Sequence, residues 1–323
     1  MVVIGGITRL TNSGLSMVEW KLIMGAVPPL SEKEWQTSFE KYQQFPEYQS
    51  INKEYSLSDF KSIFWWEYLH RLIGRIIGVV FLIPFIVFWA KGYFNKHWFW
   101  RLVLLFALGG FQGFLGWFMV KSGLVDRPDV SHYRLAAHLS AALLLFSYII
   151  WLIMDILKPS RGKIWNVNYQ KTLWVIYLLA LTQIVYGAFV AGLNAGSFYP
   201  TFPTMNGAWM PAAIADQFAN LGWQSLGSDI TTVQFIHRWL GISILLLLVA
   251  VYYNYGPSLL ARGKNILSIL IWIVSVQALL GILTLLYAVP IVIAIVHQFT
   301  AMILLGVFII NIHGARAGSA EPT

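Results

Sequence analysis

Long apolar runs along this chain are separated by short polar ones. Runs of about 20 apolar residues are long enough to cross a hydrocarbon layer of roughly 30 Å. They predict membrane-spanning helices at about 63–90, 101–120, 132–154, 172–195, 233–254, 266–288 and 290–311. An eighth run is cut short, because only Met1 to about Thr8 is apolar before Arg9. The turn-rich stretch Thr11-Asn12-Ser13-Gly14-Leu15-Ser16 follows. The segment 17–62 is long and polar, and in it Ser31 with Glu34 has capping-box spacing. Trp35, Phe39 and Tyr42 fall on one face of the helix this predicts, which reads as a helix lying in the membrane interface.

The polar loops set the orientation. The loops 91–101, 155–171 and 255–265 are short and rich in Lys and Arg, whereas 197–232 carries Asp216 and Asp229 and no Lys or Arg. Positive residues in short loops face the cytoplasm, so 17–62 and 197–232 lie on the outer side.

The apolar pattern repeats. Asn12 and Gly14 correspond to Asn194 and Gly196. His70-Arg71-x-x-Gly74 corresponds to His237-Arg238-x-x-Gly241. Gln112 with Gly116 corresponds to Gln277 with Gly281, and His138 to His297. Each half then contains four helices, an even number, so the copies share one topology and form a parallel repeat. The expected fold is an all-α integral membrane protein with eight transmembrane helices in two pseudo-symmetric four-helix bundles. The expected domains are 1–154 with its outer loop 17–62, a cytoplasmic linker 155–171, and 172–323. A full helix precedes Gly187 but only four residues precede Gly5, so roughly a dozen residues of the first helix are expected to be missing.

Composition supports this reading and narrows the chemistry. The chain is 58% hydrophobic and 11% charged, with a mean hydropathy of +0.65. The net charge of +8 sits largely in the loops and is not a nucleic-acid signal. Cysteine is absent, which removes disulfides, thiolate ligands and Cys nucleophiles. Of the seven histidines, His70, His138, His237 and His297 lie about six to eight residues inside the outer end of a span, roughly 10 Å deep at a helical rise of about 1.5 Å per residue. Each half has two, on its second and fourth helices. Facing helices can place two imidazoles on either side of one iron in a planar macrocycle. A lone intramembrane His is more often a buried hydrogen-bonding residue, but four matched by repeat and depth favour haem ligation. On that reading Gly74, Gly116, Gly241 and Gly281 let a flat ring approach the backbone, and Arg71 and Arg238 pair with propionates. His97, His132 and His313 lie outside the pattern and read as solvated.

Glu67 breaks the symmetry, because its counterpart is Gln234. It shares a helical face with His70, three residues on. One reading is a carboxyl that moves protons beside a ligand; the other is a salt bridge to Arg71 or Arg134.

These residues carry a resemblance. Gly5-Gly6-Ile7-Thr8-Arg9-Leu10-Thr11-Asn12-Ser13-Gly14-Leu15-Ser16-Met17, Tyr42-Gln43-Gln44-Phe45-Pro46-Glu47, Glu67-Tyr68-Leu69-His70-Arg71, Phe111-Gln112-Gly113-Phe114-Leu115-Gly116 and Tyr133-Arg134-Leu135-Ala136-Ala137-His138 resemble the haem A synthase family in its cysteine-less mitochondrial and proteobacterial form. The resemblance extends over essentially the whole chain. It implies oxidation of the C8 methyl group of haem O to the formyl group of haem A by successive hydroxylations. It implies a haem b in the C-terminal half, on His237 and His297 with Arg238 nearby. The substrate haem falls on His70 and His138 with Arg71, and Glu67 becomes the catalytic carboxylate. It places the chain in the bacterial inner membrane, or the mitochondrial inner membrane if eukaryotic. Expected partners are haem O, membrane lipid, the farnesyltransferase that makes haem O (haem O synthase), an electron-transfer partner and a second copy of the chain; nucleic acid is not expected.

Two other functions compete. A dihaem b-type, quinol-linked electron carrier would commonly stack its haems across the membrane, with paired ligands on one helix. Here each ligand helix has one ligand near the outer side. A transporter or receptor would explain the repeat but not four level histidines.

Overall fold

The computed structural model describes residues 1–19, 27–123, 128–157, 167–259 and 261–315. Among the described residues the structure is helical, and the only strand-like pairing is an isolated bridge between Met205 and Ala208. The helices are α1 (Val2–Leu10), α2 (Glu32–Tyr42), α3 (Pro46–Ser50), α4 (Leu57–Ala90), α5 (Lys96–Lys121), α6 (His132–Leu157), α7 (Val167–Gly192), α8 (Ala213–Leu221), α9 (Ser225–Ser228), α10 (Ile230–Tyr255), α11 (Ala261–Leu286) and α12 (Ile291–Gly314). Seven of them, α4 to α7 and α10 to α12, are long and apolar enough to cross a membrane, so this is a multi-pass membrane protein. Three of them, α4, α5 and α10, begin at polar caps that keep backbone N–H groups satisfied. The Ser56 and Asp59 side chains form a capping box at α4, Asn95 caps α5, and Asp229 accepts from the Thr232 N–H at 2.8 Å at the start of α10.

The chain divides into two compact units, Met1–His138 and Leu139–Thr323, and the boundary falls inside α6. In the first unit α1 and α5 pack along α4, and so does α2. The expected capping box at Ser31 and Glu34 is present, but α2 does not lie in the interface with its apolar face in lipid. That face is buried against α4. Trp35, Phe39 and Tyr42 form one cluster with Phe60, Ile63, Phe64 and Tyr68, and the Trp35 and Phe64 rings meet edge to face at 4.9 Å. The physical reason is the length of α4. Its 34 residues span about 51 Å, well over the roughly 30 Å of hydrocarbon, so the outer turns stand clear of lipid and need a protein cover.

In the second unit α7, α10, α11 and α12 contact one another in a closed ring, with Leu173, Leu248, Leu267, Leu305 and Phe308 in its core. Buried polar groups pair around it: Tyr177 of α7 donates to Ser147 of α6 at 2.9 Å, and within the ring the Tyr169 hydroxyl bonds the Asn311 side chain. His313, expected to be solvated, is instead 3% exposed and bonds Asp155 at 2.7 Å, with the Trp151 ring against it. Its partner lies 158 residues earlier in the chain, beyond the reach of any local pattern.

Two turns match in the backbone. Asn12 after α1 and Asn194 after α7 both adopt the left-handed region, at φ 49 and 52. The flanking hydrogen bonds share one register, Thr11 N–H to Ile7 C=O at 2.9 Å and Leu193 N–H to Phe189 C=O at 2.8 Å.

Candidate functional site

The four histidines of the repeat meet in two pairs. His70 on α4 and His138 on α6 lie within electrostatic reach of each other in the first unit, and His237 on α10 and His297 on α12 do so in the second. All four rings are half-buried.

Each ring rests against a bare glycine backbone. A Cβ on Gly5 would stand 3.3 Å from His70, on Gly116 3.1 Å from His138, on Gly187 3.1 Å from His237, and on Gly281 3.0 Å from His297. At Gly116 and Gly281 the ring that the bare backbone admits is an imidazole, not the macrocycle expected from the sequence. The expectation is not met at Gly74 and Gly241 either. A Cβ there would meet the Met1 side chain at 3.5 Å and the Gln183 amide at 3.0 Å. Gly5 and Gly187 take those roles. Gly281→Ala therefore displaces the His297 ring by a few tenths of an ångström. Haem affinity should fall on the order of tenfold, as when an outer-shell support of a metal ligand is lost. Haem content per purified protein measures this, with Gly109→Ala, which faces open space, as the neutral control.

Hydrogen bonding fixes two of the ring tautomers. His237 Nδ1 faces the Gln183 backbone carbonyl at 3.2 Å and His297 Nδ1 faces that of Gln277 at 3.1 Å. A carbonyl oxygen can only accept, so each Nδ1 carries the hydrogen; the His297 Nε2 then accepts from the Gln277 side-chain amide at 3.4 Å, a bond that a metal there would replace. The Gln183 amide also donates to the His237 carbonyl at 2.8 Å. In the first pair His138 likewise makes a backbone hydrogen bond to Gln112. His138 meets the side-chain amide of Gln112, at 3.2 Å from Nδ1, and its tautomer follows which end of that amide it faces. His70 has no ring hydrogen bond among the described residues.

Glu67 is 2% exposed and accepts from the Ser16 hydroxyl at 2.8 Å and the Met17 N–H at 2.7 Å. It forms an ion pair with Arg71, one helical turn on, and not with Arg134, which donates to the Phe118 carbonyl. Arg71 also donates to the Met17 carbonyl at 3.1 Å and the Glu19 carbonyl at 3.3 Å. The second unit has the same clasp. Arg238 donates to the carbonyls of Tyr199, Thr201 and Thr204, and the Gln234 amide donates to that of Tyr199 at 3.3 Å. Tyr199 and Thr201 stand to Asn194 as Met17 and Glu19 stand to Asn12. Both arginines thus hold the outer segment that follows the first helix of their half. Among the described residues the Arg238 Nε is buried without a partner.

These features fit haem ligation. The donor sets are paired imidazoles, two with Nδ1 held by backbone carbonyls, and the glycines leave room for the rings. Among the described residues, the side-chain oxygens of Gln112, Gln183 and Gln277 are buried without partners. His97 is exposed, as expected, whereas His132 is half-buried against Tyr133. The sequence reading missed Gln183 and Gly5 as supports. Gln183 has no repeat signal, because its counterpart is Met1.

Comparison with known proteins agrees with this geometry. The profile of the family described as "Cytochrome oxidase assembly protein" (COX15-CtaA) matches residues 1–309. A protein of Flavobacterium johnsoniae named "Heme A synthase" is 43% identical over 321 residues, 97% of this chain and 93% of that protein. Proteins of the same name from Flavobacterium psychrophilum and Allorhizobium ampelinum are each 44% identical, over 97% of this chain and 93% and 86% of theirs. No solved structure matches the chain. With bacterial relatives and seven apolar helices, it is a multi-pass protein of the bacterial inner membrane. The paired histidines, the clasped outer segments and a match over nearly all of its length make this chain a member of the cytochrome oxidase assembly (COX15-CtaA) family.

Proposed function

We propose that this chain is a haem A synthase, which oxidises the C8 methyl group of haem O to the formyl group of haem A. Its relatives carry that name, and its histidines fall in two pairs that suit two haems. The reading includes eight transmembrane helices as two four-helix bundles, α1 with α4 to α6 and α7 with α10 to α12. The domains run over 1–154 and 172–323, with 155–171 as linker.

What supports dividing the two haems between the halves is the difference in ring support. His237 and His297 are held as Nε2 donors by backbone carbonyls, which suits a permanently bound haem b. In the first pair His138 has a comparable backbone bond to Gln112, but His70 has no ring hydrogen bond among the described residues, which suits a substrate that must arrive as haem O and leave as haem A. Haem b, when bound, supplies one-electron transfer to a partner protein or small carrier. The chain's residues handle the rest. Each hydroxylation takes its oxygen from water and releases protons as well as electrons. Glu67, held by Ser16, Met17 and Arg71, accepts a proton from the attacking water beside the His70 ligand. Haem O synthase is the natural donor of substrate, and a second copy of the chain is compatible with this scheme.

The test is to express the chain with a haem O synthase in a bacterium that makes no haem A, then separate the extracted haems by chromatography with mass detection. Haem A, or its hydroxymethyl precursor, is expected. Haem b alone in a coloured, folded protein would overturn the proposal in favour of an electron carrier.

A further inference from the structure

The outer segment of the second unit shows aromatic side chains where that of the first hides them. In the first unit the apolar face of α2 is buried against α4. In the second, Trp209, Met210, Phe218, Leu221 and Trp223 are all exposed, Trp223 by 78%. An apolar patch of this kind marks a surface that something covers.

The patch is held in a fixed arrangement. The turn before Trp209 is a two-residue hairpin, with Asn206 at φ 51 and Gly207 at φ 92. Met205 N–H donates to the Ala208 carbonyl at 2.8 Å and Ala208 N–H to the Met205 carbonyl at 3.2 Å, which closes it. Thr201 Oγ1 accepts from the Asn206 N–H at 2.7 Å, and the Thr201 carbonyl is one that Arg238 holds. The clasp therefore places Trp209, whose ring lies 6.1 Å from that of Trp239, the residue after Arg238. Trp239 belongs to α10, which is long and apolar enough to cross the membrane, and is itself only half-buried. The patch thus begins on the flank of a span and is continuous with a surface that faces lipid.

The helix α8 continues it. Ile214, Phe218 and Leu221 fall on one side at spacings of four and three residues, with Asp216 and Asn220 on the other. The Phe218 and Trp223 rings meet edge to face at 5.5 Å, joining the helix stripe to the residue beyond it. The charge pattern fits a neutral partner. The segment 197–232 has no Lys or Arg; of its two acids Asp229 caps α10, and Asp216 lies on the polar side of α8. A partner bound through acidic groups has nothing to grip. Trp and Phe below a polar helix side suit the boundary between lipid headgroups and acyl chains.

We propose that the Trp209–Met210 turn and α8 form an in-plane anchor seated in the outer leaflet of the membrane, with Phe218, Leu221 and Trp223 in the acyl boundary and Asp216 in water. Such a helix sinks roughly 5–10 Å into that boundary. The anchor ties the segment clasped by Arg238 to the membrane surface, in the unit that carries His237 and His297.

The chain contains no cysteine, so the test places single ones in the full chain by Asp216→Cys, Phe218→Cys, Leu221→Cys and Trp223→Cys. All four positions are exposed, so a spin label fits each without disturbing the packing. The labelled proteins are reconstituted in phosphatidylcholine vesicles, with and without added phosphatidylglycerol. Collisions with oxygen report lipid, and collisions with a water-soluble nickel chelate report water. Labels replacing Phe218, Leu221 and Trp223 should have an oxygen-to-nickel ratio several-fold above that of the label replacing Asp216, and phosphatidylglycerol should leave the ratios unchanged. Nickel access equal at all four would put the patch in water and overturn the proposal. Shielding of the three from both reagents would also overturn it, because a protein surface, a second copy included, would then be the cover. Ratios that rise with phosphatidylglycerol would overturn the neutral anchor in favour of recognition of anionic headgroups.

Discussion

Replacing His297 with alanine leaves a membrane protein that carries no b-type haem and makes almost no haem A. The expected loss exceeds the ~10–100-fold typical of removing an outer-shell partner of a metal ligand. His297 supplies one of the two carbonyl-oriented imidazoles of the second unit, and nothing beside it can substitute, since the facing residue is Gly281. The fold should survive. The substitution deprives the Gln277 carbonyl of a ring partner, a cost of about 1–3 kcal/mol for a buried acceptor, while the closed ring of α7, α10, α11 and α12 is untouched. The visible spectrum of the purified protein and its extracted haem content measure the result. His138→Ala gives the contrast, because it should keep haem b and fail to hold haem O. An unchanged b-type spectrum in His297→Ala would show that the permanent haem lies elsewhere.

Glu67→Gln should abolish product formation while leaving the binding sites intact. A glutamine oxygen still accepts from Ser16 and from the Met17 N–H, and Arg71 keeps the Met17 and Glu19 carbonyls, so the outer segment stays docked. The second unit already shows that this position takes glutamine, because Gln234 stands in the matching clasp and bonds the Tyr199 carbonyl. What disappears is a carboxylate able to accept a proton. General-base catalysis contributes ~10²–10⁴-fold, and a loss of that order is expected. Haem O or the alcohol should accumulate in the membrane fraction with both haems still bound. Wild-type output would return Glu67 to a structural ion pair.

Hydropathy made the seven long spans readable, because lipid demands apolar length whatever the tertiary structure. The His pairs were readable because a repeat ties each ligand to a counterpart. Reading failed where a side chain's partner is remote. An apolar stripe on α2 says that something covers Trp35 and Phe39, not whether it is lipid or Phe60 and Phe64. His313 looked solvated because Asp155 is distant in the chain. The two readings of Glu67 differed only in what lies beside it, and the structure supplies Arg71 as well as the neighbouring His70 helix face.

The matched left-handed turns at Asn12 and Asn194 give experiments on this protein a built-in reference. A substitution at one site perturbs the same dihedral angle and the same hydrogen-bond register as the corresponding change at the other. Damage common to both reports on assembly of the backbone. Damage confined to one reports on what that half does, so one polypeptide serves as its own calibration standard.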